Sequence, residues 1–170
     1  MDLLKFLRHQ RTKSEQTERL VEARLAEAQE LFFSLANEFA LACEETEEPV
    51  DLCIHIPRQH DLTDGISLSL QNGDELHFNT LGMTCSLFPF ETTKDVFGEY
   101  VRGLLDGQYR VLSWNRNGSS TPYRAYLQRP AQATGWETVF RYDRAFWLID
   151  CLRTNTSPIA QYLRNDPVGF

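Results

Sequence analysis

The sequence predicts an α+β fold: a long N-terminal helix, an antiparallel sheet of about five to six strands, a second amphipathic helix over 93–106 and a short C-terminal helix. Three observations predict it. Apolar residues in the first quarter recur at alternating steps of four and three, the spacing of one helical seam. The segments after it alternate apolar and polar with period two, as strands with one buried face do. A second helix with clear start and stop signals then divides the strands into two groups, an order that favours α+β over parallel βαβ units. With 170 residues, 42% of them hydrophobic, one core can stabilise the chain without disulfides or metals. Residues 1–13 are expected as an N-terminal arm and 14–170 as a single α+β domain.

Ser14 is expected to cap the first helix, with Glu15 and Glu18 at the positive end of its dipole. Val21, Leu25, Ala28, Phe32, Leu35, Phe39 and Ala42 form the seam, so the helix should run to about Cys43. There Glu44, Glu45, Glu47 and Glu48 crowd the negative helix end, and Pro49 bars its predecessor from helical angles. A helix of about 30 residues spans about 45 Å, longer than a compact domain of this size, so part of it projects, bends or meets another chain. The seam covers its own sheet by default; its spacing also suits a homodimer through the long helix.

Leu52–Ile56 and the segment from Ile66 alternate with period two. Asn72-Gly73 follows as a turn signal, but a two-residue turn would set Leu68 against His77 and mix the faces. A three-residue loop Gln71-Asn72-Gly73, with Gly73 left-handed, sets Leu68 against Leu76 and Ile66 against Phe78. Ser67, Ser69, His77 and Asn79 then share the opposite face.

The second helix has Thr92 as expected cap, a stripe of Val96, Phe97, Tyr100, Val101 and Leu104, and a stop at Asp106-Gly107. Strands are expected over 109–114, 123–128 and 136–142, separated by Asn117-Gly118-Ser119-Ser120 and by a segment from Pro130 to Gly135. The run 145–152 fits a strand or a buried helix equally. Ser157-Pro158 reads as the start of the short last helix, 159–163.

Composition excludes several functions. There are 24 acidic and 17 basic side chains, net −7, which opposes non-specific attraction to nucleic acid or anionic lipid. No stretch approaches the roughly 18 apolar residues of a membrane span. The N-terminus has no uninterrupted apolar core of a signal peptide, so a cytoplasmic location is expected, with no membrane partner and Cys43, Cys53, Cys85 and Cys151 as free thiols. P-loop, dinucleotide-fingerprint, nucleophile-elbow and H-E-x-x-H spacings are absent, and no cofactor is expected.

Charge is segregated along the chain. Residues 1–99 carry eight basic and nineteen acidic side chains, whereas residues 100–170 carry nine arginines and five acids. Either the halves neutralise each other, or the acidic run Glu44, Glu45, Glu47, Glu48 and Asp51 stays free for a basic partner. In the second half aromatics alternate with arginine at Trp114 and Arg116, at Tyr123, Arg124 and Tyr126, and at Phe140 to Arg144. Aromatics inward and arginines outward is ordinary strand chemistry. The same residue types also dominate protein-interface hot spots and stack bases in single-strand binders. His55, His60, Asp61 and His77 are weak metal-ligand candidates, because no two have the close spacing of a structural zinc pair.

The expectation from these residues is a non-enzymatic cytosolic protein-binding module, of the kind that neutralises a toxin as immunity proteins do or escorts an effector. It would act through the acidic run or the arginine and aromatic residues. The alternatives are a hydrolase using His55, His60, Asp61 and His77, with or without a metal, and a nucleic-acid binder using the C-terminal arginine–aromatic sheet, which the net charge disfavours.

Overall fold

Helix α1 occupies Leu3–Glu38 and is followed by a meander of short strands, a second helix and a second group of strands, in a computed structural model. The structure describes residues 3–47, 49–115, 119, 121–131, 135–143 and 158–164, with side chains from residue 15 onward. Glu48, Arg116, Arg144, Cys151 and the run 145–152 lie outside the described residues. Strands β1 (Glu44–Glu45), β2 (Leu52–Ile56), β3 (Ile66–Gln71), β4 (Glu75–Thr80) and β5 (Met83–Leu87) form one antiparallel sheet in that order. Helix α2 (Phe90–Leu105) leads to β6 (Arg110–Asn115), β7 (Pro122–Pro130), β8 (Trp136–Asp143) and β9 (Ile159–Gln161), a second antiparallel sheet in the order β8-β7-β6-β9. The fold is α+β, with two sheets in place of the single sheet of five to six strands expected.

At 36 residues α1 is about 54 Å long. Ser14 does not cap it: the helix is continuous from Leu3, through most of the stretch expected as an arm. Residues 15–20 are exposed, whereas Val21 is half-buried, its methyls standing where a Cβ on Gly73 would come within 2.8 Å. Ala28, Phe32 and Leu35 of the seam are fully buried, so its centre is occupied by the molecule's own core. The helix stops at Glu38, short of the expected Cys43. Ala40 takes φ 53°, its N–H bonds Asn37 O and the Leu41 N–H bonds Ala36 O, the double closure that usually places glycine at the left-handed position. The acidic run therefore begins after the helix has ended and does not load its negative end.

The β3–β4 hairpin keeps the expected parity but slides by two residues. Leu68 faces Phe78 and Leu70 faces Leu76, and the three-residue loop is Asn72-Gly73-Asp74. Asn72 and Gly73 both have positive φ, and Asp51 fixes the loop by accepting the Gly73 N–H at 2.6 Å. Sliding by two preserves which side chains face the core, so the expected apolar face holds. The next connection, Leu81-Gly82, has positive φ at both central residues, which a two-residue hairpin of native twist requires.

Thr92 does not cap α2. The preceding residue is Pro89, joined to Phe88 by a cis peptide bond, and no side chain of that residue caps the helix. Asp74 does the work from a distant turn, its carbonyl and carboxylate oxygens accepting the Phe90 N–H at 2.9 and 3.1 Å. Thr92 and Thr93 instead donate their hydroxyls to Pro89 O. The helix ends at Asp106 and Gly107, the latter at φ +80°, as expected.

One core spans the molecule. Phe97 of α2 meets Phe32 of α1 at 5.6 Å between ring centroids and Phe78 of β4 at 5.9 Å. Val101, Leu104 and Leu105 continue the same buried cluster to Tyr109, Val111, Ala125 and Leu127 of the second sheet region. The expected C-terminal helix 159–163 is corrected to strand β9, which pairs with the open edge of β6. Pairing satisfies the backbone that a five-residue helix would leave mostly unbonded. Beyond β9, Leu163 O accepts the Thr63 N–H at 2.7 Å and the Arg164 guanidinium reaches Leu105 O, tying the C-terminal segment to the loop between β2 and β3 and to the end of α2.

Two backbone positions give opposite expectations. A Cβ on Gly103 would stand 2.3 Å from the Tyr109 ring, so Gly103→Ala is expected to lower unfolding free energy by about 1–3 kcal/mol through overpacking. Ala40→Gly relieves a left-handed alanine and is expected to raise it by about 1 kcal/mol. Denaturant midpoints of the two variants against the parent check both signs.

Candidate functional site

The second sheet turns Val111, Ser113, Ala125 and Leu127 inward and, by strand alternation, its opposite residues outward. Trp114 lies opposite Arg124, and Leu112 opposite Tyr126. Arg124 in turn faces Asp143, and Tyr126 faces Arg141. The outer face is thus a layer of rings and guanidinium groups. Trp114 meets Tyr126 edge-on at 4.9 Å. Arg124 and Arg141 bring their Cζ atoms to 5.8 and 5.5 Å from the Tyr126 ring centre, inside cation–π range. Further along the face Arg110 stacks at 4.0 Å over Trp136 and donates to Gln128 at 3.0 Å, while Trp136 meets Tyr162 edge-on.

Of the candidates Trp114, Tyr123, Arg124 and Tyr126, the structure brings Trp114, Arg124 and Tyr126 together on one face. Tyr123 belongs to the other: it is 5% exposed and points into the body. Arg141 belongs to the arginine–aromatic run from Phe140 to Arg144, whereas Arg110 and Trp136 were missed, although their parity relative to Tyr126 and Trp114 was available once the pairing was known. Arg124 binds Asp143 at 2.7 Å. Arg129 binds Glu137 at 2.9 Å and Glu99 of α2 at 3.1 Å, and its pKa is raised first by the hydrogen bond to Glu137 and then by Tyr109. Arg110 and Arg141 have no carboxylate partner among the described residues.

Among the described residues the acidic run is divided between a strand, the segment after it and a turn contact. Glu44 and Glu45 form the two-residue edge strand β1, both exposed, and Glu47 is exposed beyond it. Asp51 is committed to the Gly73 turn.

The outer face of the first sheet carries the histidines. Its cross-strand rows run Glu44, His55, Ser67, Asn79, Thr84 and Cys53, Ser69, His77, Ser86. His55 and His77 are two strands and two residues apart, about 12 Å on sheet spacing. His60 and Asp61 are exposed and 4.0 Å from each other. Among the described residues no group of three or more His, Cys, Asp or Glu side chains could hold a metal ion. His77 does have chemistry around it. Ser86 Oγ lies 2.8 Å from Nδ1, and Glu75 Oε2 lies 3.3 Å from Nε2, a hydroxyl, an imidazole and a carboxylate in series. His55 Nδ1 pairs with Ser67 Oγ at 3.0 Å. Cys43, Cys53 and Cys85 are unbridged, and burial pushes the Cys85 thiol up to about 12, which keeps it protonated and unreactive.

Comparison with protein-family models, with curated proteins and with solved structures finds no match. No helix among the described residues is long and apolar enough to cross a membrane.

The network holding α2 against the second sheet gives a pH expectation. Tyr109 donates to Glu99 at 2.6 Å, and burial first, then this bond, push its phenol up to about 12. A phenol whose folded pKa exceeds its unfolded value of about 10 stabilises the fold below that value and loses the contribution as pH rises through the folded one. The unfolding free energy of the parent relative to Tyr109→Phe should therefore fall between about pH 10 and 12 and be flat between about pH 7 and 9. Denaturation series at each pH measure it.

Proposed function

We propose that this chain is a protein-binding module whose contact surface is the outer face of the second sheet. The observation that carries the reading is the Tyr126 ring, flanked edge-on by Trp114 and approached by the guanidinium groups of Arg124 and Arg141. Tyr, Trp and Arg supply most of the energy at protein interfaces. Holding them against one another on strands before a partner arrives reduces the side-chain entropy lost on binding. Arg110 and Arg141, which lack carboxylate partners among the described residues, suit a partner that presents acids around an apolar centre. In its specific form the reading makes the chain a cytoplasmic neutraliser of a toxin or an escort for an effector, roles in which one small rigid domain masks one partner.

A nucleic-acid partner is less favoured by the same face. Asp143, Glu99 and Glu137 already engage Arg124 and Arg129, so phosphates would have to displace carboxylates and then lie beside them.

The test is capture of a partner from host lysate, its identification by mass spectrometry, and measurement of the purified pair. Tyr126→Ala and Arg141→Ala are each expected to raise Kd at least tenfold. Reversal of Glu44, Glu45 and Glu47 to lysine is expected to leave Kd within about threefold, since rim charges act mainly on the association rate. The opposite pattern would move the contact to the acidic edge.

A second reading has one specific observation behind it, the Ser86–His77–Glu75 series. In an acyl transfer Ser86 would pass its proton to His77 as Oγ attacked an ester carbonyl, and His77 would hand that proton to the alcohol leaving as the ester C–O bond broke, with Glu75 orienting the imidazole. A fluorophosphonate probe should then label Ser86 in the parent and not in His77→Ala. An unlabelled parent ends this reading.

A further inference from the structure

The outer face of the first sheet ends in a cavity of about 370 Å³, between the loop that follows β2 and the Leu81-Gly82 turn. Six side chains line it with polar atoms: His55, Arg58, Asp64, Ser67, Asn79 and Thr80. Their hydrogen bonds sort them into structure and surplus. Asp64 accepts the Gly65 N–H at 2.9 Å on one oxygen and the Leu81 N–H at 3.0 Å on the other. Its charge is used to tie the loop to the turn. Thr80 donates to Gly65 O at 2.8 Å and so serves the same junction. Ser67 is engaged with His55 Nδ1, which leaves the imidazole Nε2 with no partner among the described residues.

Two groups remain unspent. Arg58 is exposed and its side chain makes no hydrogen bond or ion pair with a described residue, and the same holds for the Asn79 carboxamide. The cavity therefore presents a guanidinium, an imidazole nitrogen and a carboxamide, while its single carboxylate is already satisfied. The His55 ring is also held in place. A Cβ on Gly65 would stand 3.0 Å from His55 Cε1 and 3.2 Å from Ile56 O, so the absence of a side chain at 65 lets the ring lie against the backbone.

We propose that this cavity binds a small carboxylate, gripped by Arg58 and hydrogen-bonded by His55 Nε2 and Asn79. A guanidinium fork matches the two oxygens of a carboxylate in one plane. A phosphate dianion suits the cavity less well, because the fixed charge of Asp64 repels two negative charges twice as strongly as one. The proposal concerns the first sheet and stands independently of the docking face on the second.

The experiment is an NMR titration of the full chain with acetate, succinate, inorganic phosphate and chloride at constant ionic strength. It follows the His55 ring and the Gly65 and Gly82 amides. The expected result is saturable shifts with acetate or succinate at those resonances. Arg58→Gln should raise Kd at least tenfold with the rest of the spectrum unchanged, and Gly65→Ala, which displaces the ring, should also raise it. Linear shifts that never saturate, an equal response to chloride, tighter binding of phosphate, or no effect of Arg58→Gln would each overturn the assignment.

Discussion

The packing of three phenylalanine rings decides how the molecule is built. Phe97 sits between Phe32 of α1 and Phe78 of β4, at 5.6 and 5.9 Å, and all three are fully buried. Each such pair contributes about 0.5–1.5 kcal/mol beyond the area it removes from water. More important is what the position of Phe97 imposes on α2. One side of that helix must face α1 and the first sheet, and the continuing stripe of Val101 and Leu104 then carries the core to Val111 and Leu127. The second helix is the element that both sheets share.

Because both sheets give their apolar residues to this one core, each is left with an outer face whose composition is free of packing demands. The two faces differ in kind. The first bears small hydroxyls and imidazoles, Ser67, Ser69, Ser86, His55 and His77, joined by short cross-strand hydrogen bonds. The second bears long side chains that cover one another, Arg110 over Trp136 and Arg141 over Tyr126. Small side chains leave room for a ligand near the sheet, as beside Arg58. Stacked rings and guanidinium groups make a raised surface suited to a macromolecule.

What was legible in the sequence followed from period and parity. The α1 seam, the strands near 52–56, 109–114 and 136–142, and the apolar face of the β3–β4 hairpin are properties of spacing alone, and a two-residue slide of that hairpin cannot change them. What was not legible depended on partners far along the chain. The end of α1 relies on Ala40 adopting an angle that glycine normally signals. The start of α2 takes its cap from Asp74, sixteen residues upstream. Strand β9 exists because β6 has an open edge, although its sequence begins with a helix-start signal. Tyr123 and Arg124 are adjacent in sequence and read as one aromatic–arginine pair, yet they point to opposite sides, which only the pairing of β7 resolves. The Ser86–His77 contact was hidden because β5 itself was not expected.

The segregated charge of the chain gains a spatial meaning from the ion pairs. Two of them join the acidic first part to the basic second part, Arg102 to Glu38 at 2.8 Å and Arg129 to Glu99 at 3.1 Å, and Arg124 finds Asp143 within its own sheet. Self-neutralisation between the two parts is thus carried by these two pairs among the described residues, and exposed pairs of this kind add little stability. It does not reach Arg110 and Arg141, which lie on the outer face of the second sheet and spend their guanidinium planes on rings. A guanidinium stacked on an aromatic keeps its in-plane N–H groups available for an acceptor while its least hydrated face is covered. Positive charge left over after internal pairing thus coincides with the aromatic layer, and that coincidence, more than the composition of either half, favours this face as the place where a partner docks.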